Sequence, residues 1–93
     1  MSIPTVEVIC TATGNDGEPV AGAVFTARLN RFEMFEGIVV PRSVTQATGE
    51  DGTCTLKLWP NVLGDRSATS YYLVSGKAPG ELNFFMQEKA VVP

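Results

Sequence analysis

Apolar and polar residues alternate with a period of two over most of the chain, as in strands that bury one face. The clearest case is 53–58, where Cys54, Leu56 and Leu58 alternate with threonine and lysine. The same alternation runs through 5–12, where Val6, Val8, Cys10 and Ala12 share a face, and through 23–30, where Ala23, Phe25, Ala27 and Leu29 do. It predicts further strands at 43–48, 70–75 and 82–92.

Turn-forming residues separate these strands and leave no room for a long helix. Glycine, asparagine, aspartate and proline are concentrated at 14–19, and 49–52 has the Asp-Gly chemistry of a hairpin turn. A loop is predicted at 62–69. Proline and glycine recur too often for a helical stripe of ten or more residues. The pattern therefore predicts an all-β fold of six or seven short strands, a sandwich or a small barrel.

Size and charge narrow the class of protein. A chain of 93 residues is one domain, here 1–93, and 44% hydrophobic against 18% charged residues indicates a folded chain. The net charge of -3, with its seven Lys and Arg dispersed, argues against nucleic acid as a partner. No apolar run approaches the roughly 20 residues that span a bilayer, and no signal peptide is visible, so we expect no membrane partner.

The residues needed for most site chemistry are missing. There is no histidine, and Cys10 and Cys54 form no C-x-x-C pair, so neither a thiol redox site nor a zinc site is expected. Both cysteines lie in strand patterns, where a free cysteine behaves as a small apolar residue. A disulfide between them stays open if their strands are neighbours.

The carboxylates in the turns do not form a catalytic pattern. Asp16, Glu18, Glu50 and Asp51 all lie in turns, and no spacing brings two of them to one site. We therefore expect no enzyme, no catalytic residue and no cofactor. Calcium bound by the loops of Asp16 and Asp51 is the chemical alternative, but the D-x-[DN]-x-[DN]-G pattern is absent, and no metal site is predicted.

Three aromatic residues are candidates for sugar binding. Trp59, Tyr71 and Tyr72 could form a flat platform on which a carbohydrate stacks. Their other interpretation is core, because one of two consecutive tyrosines in a strand must face inward.

An apolar segment at 31–41 is the candidate for binding a partner. If it is a protruding loop, its large side chains mark an interface, with contacts made by Phe32, Met34, Phe35, Ile38 and Val39. The other interpretation makes Glu36-Gly37 a turn, with both flanks strands that contribute to the core. The last strand also carries phenylalanine on both faces, so it is either central to a sheet or covered on its outside by a neighbour. At an edge it is also a candidate for pairing with a strand of another subunit.

The stretch Gly14-Asn15-Asp16-Gly17-Glu18-Pro19-Val20-Ala21-Gly22-Ala23 resembles the opening of carboxypeptidase regulatory-like and related bacterial immunoglobulin-like domains. Thr48-Gly49-Glu50-Asp51-Gly52-Thr53 looks like the later T-x-x-D-G element of those families. The resemblance covers about the first sixty residues. It implies an immunoglobulin-like (transthyretin or carboxypeptidase-regulatory-like) sandwich of about seven strands.

The rest of the chain is similar to small modules of tailed-phage structural proteins, especially the N-terminal parts of tail fibres. The similar pieces are Leu56-Lys57-Leu58-Trp59-Pro60-Asn61, Ser70-Tyr71-Tyr72 and Val91-Val92-Pro93. This implies a virion component, made in the host cytoplasm, that attaches to other virion proteins or to itself as a homo-oligomer. Fibre proteins continue where this chain ends, so fibre attachment, an adaptor and capsid decoration all stay open. The expectation is a non-enzymatic structural module, and the alternative is a carbohydrate-binding one.

Overall fold

The computed structural model describes residues 3–64 and 70–93, so residues 65–69 of the predicted loop lie outside the described residues. The all-β prediction is confirmed, since every pair of strands is antiparallel and the described residues contain no α-helix, only a 3₁₀ turn at Asn61–Leu63. Within the same residues no helix has the length and apolar character needed to cross a membrane. The strands are β1 (Val6–Thr11), β2 (Val24–Leu29), β3 (Met34–Phe35), β4 (Ile38–Val39), β5 (Ser43–Ala47), β6 (Thr53–Leu58), β7 (Tyr72–Lys77) and β8 (Phe84–Ala90).

The strands form two sheets and a separate hairpin. The larger sheet has the order β5-β2-β7-β8, the smaller one pairs β1 with β6, and β3 pairs with β4. Side chains from both sheets are buried in one core, including Phe25 and Leu29 of β2, Leu56 and Leu58 of β6, and Tyr72 of β7. The inward positions are those that the alternation predicts for β2 and β6. On β1 the outward Ile9 is exposed while Val8 and Cys10 pack against the core.

The turn at 49–52 does not form the hairpin that its sequence predicts. β5 pairs with β2, and β6 pairs with β1, so this turn carries the chain from one sheet to the other. The turn itself is local, with Gly52 N donating to Gly49 O at 2.9 Å and Gly49 N to Thr53 O at 3.0 Å. Turn chemistry predicts a reversal of the chain, but it does not decide which edge each strand pairs with.

Thr48 joins the two turn motifs that carry the resemblance. Its hydroxyl donates to Val20 O at 2.6 Å and accepts from Ala23 N at 2.9 Å. Its backbone N–H donates to Ala23 O at 2.8 Å. Thr48 itself is buried. The threonine of the T-x-x-D-G element therefore fastens the second turn to the end of the first one.

The aspartates of the two turns use their carboxylates within their own turns. Asp16 Oδ1 accepts from Glu18 N at 3.0 Å. Asp51 accepts from the Thr53 hydroxyl at 2.8 Å and from Thr53 N at 3.1 Å, and these bonds hold the pKa of Asp51 below its ordinary value. Among the described residues, no group of three or more His, Cys, Asp or Glu is arranged to hold a metal ion.

β8 forms an outer edge of the larger sheet, which decides between the two interpretations of its double-faced apolar pattern. Leu82, Phe84 and Phe85 are all exposed. A bulge shifts the register between Gly76 and Lys77 of the neighbouring strand, and there the Phe85 ring packs edge-on against Phe25 with centroids 5.7 Å apart.

The molecule is elongated, 45 × 24 × 20 Å, and its radius of gyration of 14.3 Å exceeds the about 12 Å expected for a compact chain of this length.

Candidate functional site

The segment at 31–41 folds into a small hairpin. Met34 pairs with Val39 and Phe35 with Ile38. Glu36 and Gly37 form the two-residue turn between them, with φ values of 50° and 81°. Positive φ at both central positions is the geometry of the tight turn whose twist matches that of paired strands. The predicted turn at Glu36-Gly37 is therefore confirmed.

The two faces of this hairpin differ in exposure. One face contributes to the core, as the second interpretation of the segment predicts, and the other is exposed, as the interface interpretation predicts. Phe35 packs partly buried against the core, and Ile38 is half-buried. Met34 and Val39, directly opposite each other, are 45% and 55% exposed, and the preceding Phe32 is 52% exposed. We call the exposed set, Phe32, Met34 and Val39, the hairpin patch. It includes three of the five residues predicted to contact a partner.

Three buried polar residues, Glu33, Asn61 and Ser70, form a cluster next to the hairpin. Glu33 directly precedes β3 in the chain. Ser70 Oγ donates to Glu33 Oε2 at 3.0 Å, and Asn61 Nδ2 donates to Ser70 Oγ at 3.1 Å. All three residues are buried. Glu33 O also accepts from Val40 N at 3.0 Å, which closes the base of the hairpin. The cluster fixes the hairpin to the body of the domain, because each of its members comes from a different segment of the chain.

Asn61 extends the same cluster to the end of the chain. Its side-chain Oδ1 accepts from Val92 N at 2.8 Å, and its backbone N–H donates to Val92 O at 2.9 Å. The side-chain amide thus takes the place of a backbone partner for the segment that follows β8. The sequence pattern did not predict that Glu33, Ser70 and Asn61 form a cluster. The local signal that could have identified Glu33 is its position as a carboxylate between two large apolar residues, Phe32 and Met34.

The three aromatic residues considered for sugar binding do not form an open platform. Trp59 and Tyr72 are each 1% exposed, and the Tyr72 hydroxyl accepts from Trp59 N at 3.1 Å. Tyr71 is partly exposed, but Lys89 Nζ lies 4.4 Å from the centroid of its ring. Stacking on a sugar requires a free ring face, and the buried rings of Trp59 and Tyr72 offer none. Trp59 and Tyr72 are therefore core residues, as the other interpretation of these aromatic residues predicts.

An apolar cleft lies beside these buried rings. It has a volume of about 260 Å³, and it is lined by Trp59 and Tyr72 together with Ile3, Thr5, Ile38, Val40, Pro41, Val44 and Lys57. Trp59 Nε1 is buried and has no hydrogen-bond partner among the described residues. Since that atom is not exposed to the cleft, the polar end of the indole gives the cleft no donor that could orient a ligand.

Cys10 and Cys54 lie directly opposite each other on β1 and β6, and both are free thiols. Burial raises the pKa of each thiol, and for Cys10 the neighbouring Cys54 raises it further. A thiol with a raised pKa is a weak nucleophile near neutral pH, because only the thiolate reacts. Burial also raises the pKa of the Tyr72 hydroxyl.

These raised pKa values predict a loss of stability at alkaline pH. Above the ordinary pKa of a thiol, about 8.5, the unfolded chain releases protons that the folded chain retains, so rising pH favours unfolding. We expect the urea concentration at the midpoint of unfolding to decrease as the pH is raised from about 8 to about 10.5. This pH range includes the ordinary pKa of tyrosine, about 10.

The double variant Cys10→Ala/Cys54→Ala tests the cause of that loss. Its midpoint at neutral pH is expected to be lower, but it should decline less steeply with pH, and Tyr72 accounts for the decline that is left. An equal slope in both proteins would show that the thiols do not contribute.

The chain was also compared with known proteins. No protein-family model, no curated protein and no solved structure matches it.

Proposed function

We propose that this chain is a non-enzymatic attachment module that acts through protein–protein contacts, and that the hairpin patch makes the main contact. The proposal is carried by one observation: Phe32, Met34 and Val39 are about half exposed on a hairpin whose other side is held against the core. Exposed apolar groups gathered on one surface are typical of interfaces in soluble proteins.

The energetics support a contact of useful strength. Full burial of one large apolar side chain is worth roughly 1.5–3 kcal/mol, and each of the three is already about half buried. Covering the hairpin patch would therefore contribute on the order of 3 kcal/mol, which is about a hundredfold in affinity. The buried polar cluster of Glu33, Ser70 and Asn61 supports the same proposal, since a hairpin ordered in advance loses little entropy when it binds.

The context we propose for this module is a tailed-phage particle. The support comes from the resemblance of the two turn motifs to immunoglobulin-like sandwich domains, and from the similarity of the later segments to modules of tail fibres. The all-β fold, with two sheets that share one core, is consistent with a domain of that class. In this context the partners are other virion proteins or further copies of the chain, and the module is made in the host cytoplasm before assembly.

The proposal predicts that charge on the hairpin patch prevents incorporation into particles. The double variant Met34→Glu/Val39→Glu should fold normally, because both side chains are exposed. Its amount in gradient-purified particles of the source phage should fall at least tenfold, since docking would bury two carboxylates. The measurement is quantitative immunoblotting of the particles against a capsid protein.

The control is Ile9→Glu, which places one such charge on an exposed aliphatic position of β1 in the two-stranded sheet. It should leave incorporation unchanged. If the unmodified chain were missing from purified particles, the virion context would be wrong. If the double variant were incorporated as well as the control, the hairpin patch would not be the contact.

A further inference from the structure

The outer face of the larger sheet is a second surface, separate from the hairpin patch. Side chains directly opposite each other on neighbouring strands share a face, and Phe25, Ala27 and Leu29 of β2 face the core, so the residues between them face away from it. The register places three rows of four on this outer face. Across β5, β2, β7 and β8 they are Ser43, Arg28, Leu73 and Lys89; then Thr45, Thr26, Ser75 and Gln87; then Ala47, Val24, Lys77 and Phe84.

The middle of this face is a shallow depression. Ser75 is buried and forms its floor, while the longer side chains of the first and third rows form its walls. The depression has a volume of about 380 Å³ and is lined by Val24, Thr26, Arg28, Leu73, Ser75, Lys77, Phe84 and Gln87. Val24, Leu73 and Phe84 are exposed. A side chain that entered from outside would therefore meet three apolar groups on the walls, beside Arg28 and Lys77.

The charge on this face is opposite to that of the chain as a whole. Three cations, Arg28, Lys77 and Lys89, lie in the outer rows, and none of the twelve positions in the rows is acidic, in a chain of net charge -3. Of the nine acidic side chains of the described residues, four lie in the turns at 14–19 and 49–52, and Glu88 of β8 lies opposite Val74, outside the three rows. Two of the ammonium groups rest on rings of the same molecule, Lys77 Nζ 4.8 Å from the Phe84 centroid and Lys89 Nζ 4.4 Å from that of Tyr71.

The spacing of the cations defines what would complement them. Arg28 and Lys89 lie in the first row, and Lys77 lies in the third, four residues further along the strands. At about 3.4 Å per residue the two rows are about 14 Å apart. In an extended chain, side chains at positions i, i+2 and i+4 point the same way, and the outer two are separated by the same distance. Carboxylates at i and i+4 would therefore reach the cations while an apolar side chain at i+2 entered the depression.

Other classes of anion fit this face less well. Single-stranded nucleic acid binds proteins largely through open aromatic rings, and the one aromatic side chain among the twelve positions, Phe84, already has Lys77 Nζ 4.8 Å from its centroid. Three cations on an acidic protein also supply little of the counterion release that drives binding to a duplex. Apolar groups between the cations favour a polypeptide, which offers carboxylates and an apolar side chain together.

We propose that the outer face of the four-stranded sheet is a docking surface for an extended acidic segment of a partner protein. This segment has an apolar side chain with one carboxylate on each side of it. This second contact does not depend on the hairpin patch.

The test uses a fluorescent, capped peptide in which a leucine is flanked by a glutamate two residues away on each side, with threonine elsewhere. Anisotropy titration against the full chain should give saturable binding that weakens as salt is raised. The double variant Arg28→Glu/Lys77→Glu should weaken binding at least tenfold, and Leu73→Asn should weaken it several-fold. The same peptide with glutamine for glutamate should bind at least tenfold more weakly.

The matched control is Lys57→Glu, which changes an exposed cation of β6 in the other sheet and should leave the affinity unchanged. Met34→Glu/Val39→Glu should also bind the peptide normally, so failure of this proposal is distinguishable from failure of the hairpin contact. The proposal is overturned if the peptide does not bind, if the glutamine peptide binds equally, or if a heparin oligosaccharide or single-stranded oligonucleotide binds more tightly. Light scattering tests whether the occupant of this face is a second copy of the chain. If the chain self-associates and Arg28→Glu/Lys77→Glu abolishes the self-association, the face binds a second copy and the proposal of a different partner protein is wrong.

Discussion

Replacing Asn61 with alanine is expected to destabilise the fold by about 3 kcal/mol, the largest effect we expect from removing one polar side chain. The substitution deletes the acceptor for Val92 N and the donor to Ser70 Oγ, both in the buried cluster. A buried N–H left without a partner costs roughly 1–3 kcal/mol, and the lost amide leaves a cavity as well. A domain of this size has about 5–14 kcal/mol of stability in total, so the loss is a large share of it.

Thermal unfolding measures this effect directly. A loss of about 3 kcal/mol corresponds to a fall in Tm of roughly 12–24 °C for a domain of this length. The matched control is Asn30→Ala. Asn30 Oδ1 also accepts a backbone N–H, that of Tyr71 at 2.8 Å, but the residue is exposed and water can replace the bond. The control should cost about 1 kcal/mol or less. Equal shifts in the two variants would mean that the buried cluster contributes no more than a surface bond.

Gly52→Ala is expected to have an effect of similar or greater size, for a steric reason. Gly52 has φ of +76°, a conformation that costs an alanine about 1 kcal/mol or more. A Cβ there would lie 2.7 Å from Ala12 O and 2.8 Å from Pro19 Cβ, closer than van der Waals contact allows. Ala12 lies between β1 and the first turn, where its carbonyl accepts from Val20 N at 3.0 Å, and Pro19 in that turn forms a β-bridge with Thr13, so neither can move freely. We expect a destabilisation of about 3–4 kcal/mol in urea unfolding.

Gly80→Ala separates the two causes. Gly80 has nearly the same φ, +77°, but a Cβ there would meet nothing within 4 Å. This control should cost only the backbone strain, about 1 kcal/mol. The difference between the two variants then measures the contact of Gly52 with the first turn. If both variants lost the same stability, the close approach of the two turns would not be part of the folded structure.

The turn motifs show how far local sequence can predict. Asp51 and Gly52 predict a turn because of side-chain bonding and permitted backbone conformation, and the turn forms at that place. The same residues predicted a hairpin, and that prediction was wrong, because β5 and β6 belong to different sheets. The reason Gly52 is needed is non-local: Ala12 and Pro19 lie where its side chain would be.

The candidate sites show the same limit. The apolar segment at 31–41 and its turn at Glu36-Gly37 are visible in the sequence, but the side of the hairpin that is exposed is not. Arg28 falls between the inward positions Ala27 and Leu29, yet nothing near Arg28 in the chain indicates that Lys77 and Lys89 share its face. Trp59 and Tyr72 were ambiguous for the same reason, since an aromatic residue in a strand can face a core or a ligand equally well.

The sequence by itself determined the positions of the main strands, which side chains of β2 and β6 share a face, and where the chain turns. It also determined that no histidine chemistry is available and that the net charge is acidic. These properties depend on residues close together in the chain, through the period of two and the conformations that each residue type permits.

Only the tertiary structure decided which strands are neighbours, how Glu33, Ser70 and Asn61 meet, and that three cations gather on one face of an acidic protein. Backbone hydrogen bonds are the same whichever strands pair, so they carry no information about the partner. The choice is made by the packing of side chains distant in the sequence, as between Phe25 and Phe85, and that packing exists only once the sheets have assembled.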